Sequence, residues 1–166
     1  MHSTPLSHAI ATFARVGHLR PAPGTWASAV AAILAVPIIA AGGVLALASL
    51  AVAAFVFGLW ATRQETGPDN HDPSEIVIDE VAGQWTALFP IAVAYEPRDL
   101  TAAYFYVAIS ASFALFRLFD IWKPGPVGWA DRREDALGVM LDDIVAGALA
   151  ALVLLLAFIG FSEVLF

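Results

Sequence analysis

The stretch SAVAAILAVPIIAAGGVLALASLAVAAFVFGLWAT, residues 28–62, carries no charged side chain over 35 consecutive positions. As one straight helix it would run about 52 Å at a rise of ~1.5 Å per residue. A bilayer's hydrocarbon core is only about 30 Å thick. The segment is therefore too long for one crossing and needs a break. Gly42-Gly43 is the natural place, and Pro37 lies in the first half. The reading predicts two helices, Ser28–Ala41 and Val44–Thr62. The first is short, and it is tilted, kinked or one arm of a re-entrant hairpin.

Three more apolar stretches follow. One runs from Ile76 to Ala94 and is interrupted by Asp79 and Glu80. Another runs from Leu100 to Leu118 with no charge before Arg117. The last runs from Leu137 to Phe161 and is interrupted by Asp142 and Asp143. Turn chemistry separates them at residues 67–70, 95–98 and 123–126. The alternating pattern of outer-membrane barrel strands is missing. The expected fold class is all-α, a polytopic transmembrane bundle of about five membrane helices in a single domain over residues 1–166. Residues 1–24 form its N-terminal amphipathic or loop segment; residues 5–16 fit either a short surface helix or a disordered tail.

Composition agrees. Of 166 residues, 60% are hydrophobic and 14% are charged, against about 25% charged in soluble domains. Mean hydropathy is +0.77. The formal charge of −7 argues against a nucleic-acid binder. The absence of cysteine excludes a disulfide scaffold, a thiolate zinc site, an iron–sulfur cluster and a cysteine nucleophile. The N-terminus lacks the basic start and apolar core of a cleavable signal peptide.

Five crossings place the N-terminus, the 63–75 and 119–136 loops and the inner end of the fourth helix, with Arg117, on one side. Seven of the eight Lys and Arg residues fall there, and Arg98 falls opposite. By the positive-inside rule that side is cytoplasmic.

The acids are the anomaly. A charge at mid-helix costs on the order of 2.5–3.5 kcal/mol on insertion scales, so acids embedded in apolar helices point to function. Asp79-Glu80 and Asp142-Asp143 lie at matching depth near the cytoplasmic surface, and Arg117 and Asp120 close the fourth helix at the same level. Asp72, Glu75 and Asp79 are spaced to share one helix face. Gly83, Gly138 and Gly147 would let helices approach closely. Clustered carboxylates repel unless a cation binds, and a hard ion such as Mg²⁺ suits oxygen ligands. The competing reading has these acids paired with Arg117, Lys123, Arg132 and Arg133 as staples.

Two further segments bear on chemistry. In Arg20-Pro21-Ala22-Pro23-Gly24-Thr25-Trp26, Thr25 can cap the first helix and Gly24 permits a tight turn, and a free helix N-terminus attracts phosphate. The plainer reading is a turn at the membrane surface anchored by Trp26. The loop from Phe116 to Val127, with Asp131-Arg132, is dense in cations, acids and rigid turns; Arg117 and Lys123 could hold phosphate oxygens. His2, His8, His18 and His71 do not form a spaced ligand set.

Assembled in this order, Pro23-Gly24-Thr25, Ile76 through Gly83, Phe116 through Pro126, Asp131-Arg132 and Gly138 through Gly147 resemble the phosphatidylglycerophosphatase A family of bacterial membrane lipid phosphatases. The resemblance covers most of residues 16–147. The N-terminal loop departs from it, with His18 and Arg20 where the family has smaller or less charged residues. The resemblance implies Mg²⁺-dependent removal of the terminal phosphate of phosphatidylglycerophosphate, giving phosphatidylglycerol, by a multi-pass protein of the inner membrane.

The economical mechanism is metal-assisted attack by water, with an aspartyl-phosphate still open. Asp79, Glu80, Asp142 and Asp143 are the expected Mg²⁺ ligands. Thr25, Arg117, Lys123 and Arg132 are the candidate substrate contacts. Asp72, Asp120 or Asp131 is the candidate base or acid. An ion- or proton-coupled transporter would also use intramembrane acids, but it needs a polar path across the whole bilayer. A headgroup transferase using a CDP-lipid would show a different aspartate-rich helix. A non-catalytic lipid-binding module is the remaining alternative.

Overall fold

The computed structural model describes residues 4–67, 73–94 and 102–165. Among them the long regular elements are all helices: α1 (Pro5–Ala11), a 3-10 turn (Val16–His18), α2 (Pro23–Glu65), α3 (Ile78–Ala87), α4 (Phe89–Ala94), α5 (Ala102–Trp122), α6 (Pro126–Asp131) and α7 (Ala136–Leu165). The expected all-α class is observed. Three of these helices, α2, α5 and α7, contain stretches long and apolar enough to cross a membrane.

The 43-residue α2 is not straight. Gly43 adopts φ 58° and ψ −153°, outside helical values and readily available only to glycine. The consequence is visible at the two ends. A β-carbon on Gly24 would lie 2.0 Å from Glu80 Oε1, and one on Gly58 would lie 3.0 Å from Ile78 Cγ2. Glu80 and Ile78 are two positions apart on α3, whereas Gly24 and Gly58 in one rod would be about 50 Å apart. The chain therefore folds back at Gly43 into two arms, with the break at the predicted pair. Each arm buries a stripe made mostly of small residues: Ala27, Ala31 and Ala35 on the first, ending at Ile39, and Ala51, Ala54, Gly58 and Ala61 on the second, starting from Leu47. Their outer faces expose Ile33, Leu45, Val52 and Phe57, an apolar surface suited to lipid.

The stretch from Ile76 to Ala94 is not one helix. α3 ends at Ala87, Leu88 turns, and α4 resumes at Phe89. Pro90 lacks the N–H that would bond back to residue 86 and disfavours helical backbone at Phe89. Glu75 lies in the turn before α3, so the expected common helix face of Asp72, Glu75 and Asp79 does not form through it. Asp72, His71 and most of the 67–70 and 95–98 turns lie outside the described residues.

α3 is nearly enclosed, with Ile78 through Trp85 all buried. The Trp85 indole N–H donates to the Ala31 carbonyl at 3.0 Å, fixing α3 to the first arm. On its other side α3 crosses α7 at two glycines. A β-carbon on Gly147 would fall 2.2 Å from the Gly83 carbonyl oxygen, and one on Gly83 would fall 2.6 Å from the Asp143 carbonyl oxygen. Gly138 plays a different part from the expected helix crossing: its close neighbour is the Arg133 carbonyl in the preceding loop.

α1 is a genuine short helix, capped by the reciprocal Thr4–Ser7 pair. It packs against the end of α2 through Ser7 Oγ, which donates to Glu65 at 2.6 Å. Its last carbonyl, on Ala11, accepts from Val77 N–H at 2.9 Å, so it braces the segment that enters α3.

Candidate active site

The start of α2, the start of α3, the end of α5, helix α6 and the start of α7 meet around one cavity of about 320 Å³. Its wall includes Gly24, Asp79, Glu80, Asp120, Lys123, Asp131, Asp142 and Asp143, with Arg133, Glu134 and Asp135 at the rim side. The two acidic pairs expected to share a depth do converge.

Three carboxylates come closest. Glu80, Asp120 and Asp143 each offer an oxygen, and these oxygens all lie within 4.8 Å of one another. Glu80 and Asp143 belong to the ligand set read from the sequence, whereas Asp120 is there a candidate acid or base. Asp79 and Asp142 adopt a matching local geometry. Each turns one oxygen to the backbone N–H of the residue after it, Glu80 at 2.8 Å and Asp143 at 3.0 Å. In each pair one acid is thus tied to its own helix while its neighbour reaches the centre. This resolves how adjacent carboxylates, about 100° apart on a helix, serve one site.

Two cations sit among these acids. The Arg117 guanidinium bridges two elements, pairing with Glu80 on α3 and with Asp120 at 2.7 Å on its own helix. Ser28, on the first arm of α2, places its hydroxyl 2.8 Å from Glu80 and 2.7 Å from the Gly24 carbonyl, and so can donate to either. Lys123 pairs with Asp131 and with Asp142, the latter at 3.0 Å. Burial would lower the Lys123 pKa, but hydrogen bonds to Asp131 and Asp142 outweigh it and hold the amine well above the usual lysine range. The ammonium is a fixed positive charge at any physiological pH.

The backbone marks Lys123 as well. It has φ 51°, the left-handed region that favours glycine and costs another residue on the order of 1–3 kcal/mol. Its N–H closes the end of α5 on the Phe119 carbonyl at 2.8 Å. Pro124 and Gly125 then redirect the chain into α6, which brings Asp131 back over Lys123.

The stapling alternative is thus partly realised: Glu80, Asp120, Asp131 and Asp142 all have cationic partners, and exposed Arg133 pairs with Asp135. The Asp143 carboxylate is different. It is buried and lines the cavity, and among the described residues no ion pair or side-chain hydrogen bond neutralises it. Among the described residues, carboxylates outnumber cations in the cavity wall, and that charge excess suits a bound cation.

The remaining expected residues lie further out. Thr25 is half-buried inside the first turn of α2, not at its cap, because the helix begins at Pro23 with Ala22 as its N-cap. Arg132 is exposed, with its guanidinium near Gly128, while Arg133 lines the cavity. Gly24 is required for close approach to Glu80, not for a tight turn. Sequence reasoning does not single out Ser28; the one signal it offers is its place one helical turn after Gly24.

The family model described as Phosphatidylglycerophosphatase A matches residues 9–158. A relative from Haemophilus influenzae named Phosphatidylglycerophosphatase A is 33% identical over 148 residues, covering 88% of this chain and 85% of its own. One of the same name from Escherichia coli is 41% identical over 82 residues, 49% of this chain and 42% of its own. A Bacteroides thetaiotaomicron protein named putative phosphatidylinositol-3-phosphatase is 36% identical over 107 residues, covering 64% of this chain and 62% of its own. No solved structure matches the chain. With the family model spanning every element that builds the cavity, the chain belongs to the phosphatidylglycerophosphatase A family and is a phosphatase.

Proposed function

We propose that the chain hydrolyses the terminal phosphomonoester of phosphatidylglycerophosphate to phosphatidylglycerol and phosphate, with Mg²⁺, at the cytoplasmic face of the bacterial inner membrane. Family membership supports the substrate. The observation that carries the chemistry is the meeting of Glu80, Asp120 and Asp143 beside two half-buried cations.

The donor set fits Mg²⁺, being all hard oxygens with Asp143 left unneutralised. Glu80, Asp120 and Asp143 would hold the ion, and Asp79 and Asp142 would brace Glu80 and Asp143 from α3 and α7 through the backbone N–H bonds described above. A bound Mg²⁺ supplies charge neutralisation at the phosphoryl oxygens and positions a water. Lys123 binds a phosphoryl oxygen and stabilises charge developing in the transition state. Arg117, oriented by Glu80 and Asp120, adds a second donor from the opposite wall. Asp131 is more exposed than Asp142 and is held as a carboxylate against Lys123; we assign it the role of base, taking the proton of the attacking water and returning it to the leaving alkoxide. The acyl chains stay in the bilayer while the headgroup enters from the surface.

The membrane arrangement belongs to the same reading. The arms of α2 are about 30 and 33 Å long at ~1.5 Å per residue, enough for two crossings. With α5, α7 and a shorter α3–α4 insertion, this makes about five membrane segments. The cavity opens where Arg63, Arg117, Lys123, Arg132 and Arg133 gather, which the positive-inside rule assigns to the cytoplasm.

The test is phosphate release by the purified protein in mixed micelles, across Mg²⁺ concentrations. Phosphatidylglycerophosphate should be turned over and phosphatidylinositol 3-phosphate hydrolysed far more slowly. Release from neither lipid at any Mg²⁺ concentration would remove the reading.

A further inference from the structure

A second cluster of ligating side chains lies outside the carboxylate cavity, where α1, the 3-10 turn and the end of α2 meet. His8 Nε2 and His18 Nε2 are 3.3 Å apart. The two rings have centroids 5.3 Å apart and planes inclined by 30°. On the far side of the first ring, His8 Nδ1 lies 3.2 Å from Glu65 Oε2. Glu65 in turn accepts from Ser7 Oγ at 2.6 Å.

We propose that His8 and His18 form a binding site for a borderline divalent cation of the zinc class, independent of the carboxylate centre.

Three features of the geometry agree. Zinc binds imidazole nitrogen at about 2.0–2.1 Å, so two nitrogens on a tetrahedral ion stand about 3.3–3.4 Å apart. That is the separation found. Carrying the same construction back through each ring places the centroids about 5.2 Å apart, again close to the value found. The third feature is Glu65. A histidine ligand characteristically donates its other N–H to a carboxylate, which fixes the tautomer and raises the basicity of the ligating nitrogen. With Nδ1–H directed at Glu65, His8 Nε2 presents a lone pair toward His18.

The donor type separates the two centres. Imidazole nitrogen selects zinc, nickel or copper, whereas an all-carboxylate cluster suits magnesium. Two protein ligands leave the remaining positions to water, so the site is open and of moderate affinity. A bound ion would tie the 3-10 turn to α1. Both press on the segment entering α3: Val77 N–H bonds to Ala11, and a β-carbon on Gly17 would fall 2.0 Å from the Glu75 carbonyl oxygen. The ion would therefore brace one wall of the cavity from behind without touching it.

The test titrates zinc chloride calorimetrically into the full-length protein, free of affinity tags, in detergent with saturating Mg²⁺. Wild-type protein should take up one zinc more than His8→Ala or His18→Ala. Glu65→Gln should weaken that uptake about 10- to 100-fold. Copper(II) at the same site should show two imidazole nitrogens in its electron paramagnetic resonance spectrum. His18→Gln keeps a polar group beside His8, so its loss of zinc with unchanged melting in the absence of metal separates ligation from folding. Equal zinc uptake by wild type and His18→Ala would overturn the proposal. So would a copper spectrum with one nitrogen, or loss of the site in His2→Ala.

Discussion

Gly24 and Glu80 touch across 56 positions of sequence so tightly that no β-carbon fits between them: one built on Gly24 would stand 2.0 Å from Glu80 Oε1. The first turn of α2 thus forms the back wall of the carboxylate centre. The hydroxyl of Ser28, one turn later, completes it. Gly24→Ala should push the Glu80 carboxylate out of register with Asp120 and Asp143. The expected result is a fall of at least ~100-fold in kcat, comparable to losing one preorganised charge-stabilising group. Stability should drop by only about 1–3 kcal/mol, the usual cost of an overpacked methyl. Full activity in Gly24→Ala would show that Glu80 need not hold its place.

Among the described residues the buried Asp143 carboxylate has no direct ion pair, and it feels Arg117 only as a charge already paired with Glu80 and Asp120. Asp143→Asn should therefore relieve repulsion and leave the apo protein as stable as wild type or more so, while raising the Mg²⁺ needed for half-maximal rate by about tenfold or more. Glu80→Gln should behave differently, because it takes a partner from Arg117, and a buried charge left short of its partner costs stability. Paired thermal melts and Mg²⁺ titrations of the two variants check this. Normal turnover and normal Mg²⁺ dependence in the double variant would contradict the proposed ion site.

Much of this centre is legible in the sequence because embedding acids in apolar helices is expensive, so Asp79-Glu80 and Asp142-Asp143 stand out without any structure. The break at Gly42-Gly43 is legible for a similar reason of length. Pairing between elements is not. Arg117 and Asp120 are three apart on one helix and look like a local pair; nothing in the spacing says that Arg117 also reaches Glu80 on α3. Hence spacing alone does not place Asp120 among the ligands. Ser28 is hidden because a serine opening an apolar helix reads as neutral. The stretch from Ile76 to Ala94 reads as one helix because its hydropathy is continuous, and the missing N–H of Pro90 carries no hydropathy signal.

Lys123 gives a pH prediction. Its folded pKa is raised, so its contribution to stability is complete below the unfolded value of about 10.4 and is lost only as pH rises through the higher folded value. Across about pH 6–9 the ammonium does not titrate. Lys123→Arg should keep the charge, and its pH–rate profile should have the same alkaline limb as wild type. Lys123→Met should lower kcat by about 100-fold or more without moving that limb. A loss of the alkaline limb in Lys123→Met would mean that the lysine itself titrates in the working range.

The crossing that sets the depth of the site is open to the same kind of test. Gly83 and Gly147 meet backbone to backbone, and the Asp143 carbonyl is the atom a methyl on Gly83 would strike, at 2.6 Å. Backbone atoms cannot rotate away as a side-chain end can, so α3 and α7 must separate to admit either methyl. Gly147→Ala, one turn deeper than Asp143, should destabilise the protein by about 1–3 kcal/mol and reduce activity through that separation. Gly83→Ala pushes directly on Asp143 and should lose more activity for a similar loss of stability. A methyl on Gly160 would meet no atom within 4 Å, so Gly160→Ala serves as the control and should change neither. The comparison uses thermal melting beside single-turnover rates. If Gly83→Ala loses no more activity than Gly147→Ala at matched stability, the crossing supports the fold but does not position the carboxylate.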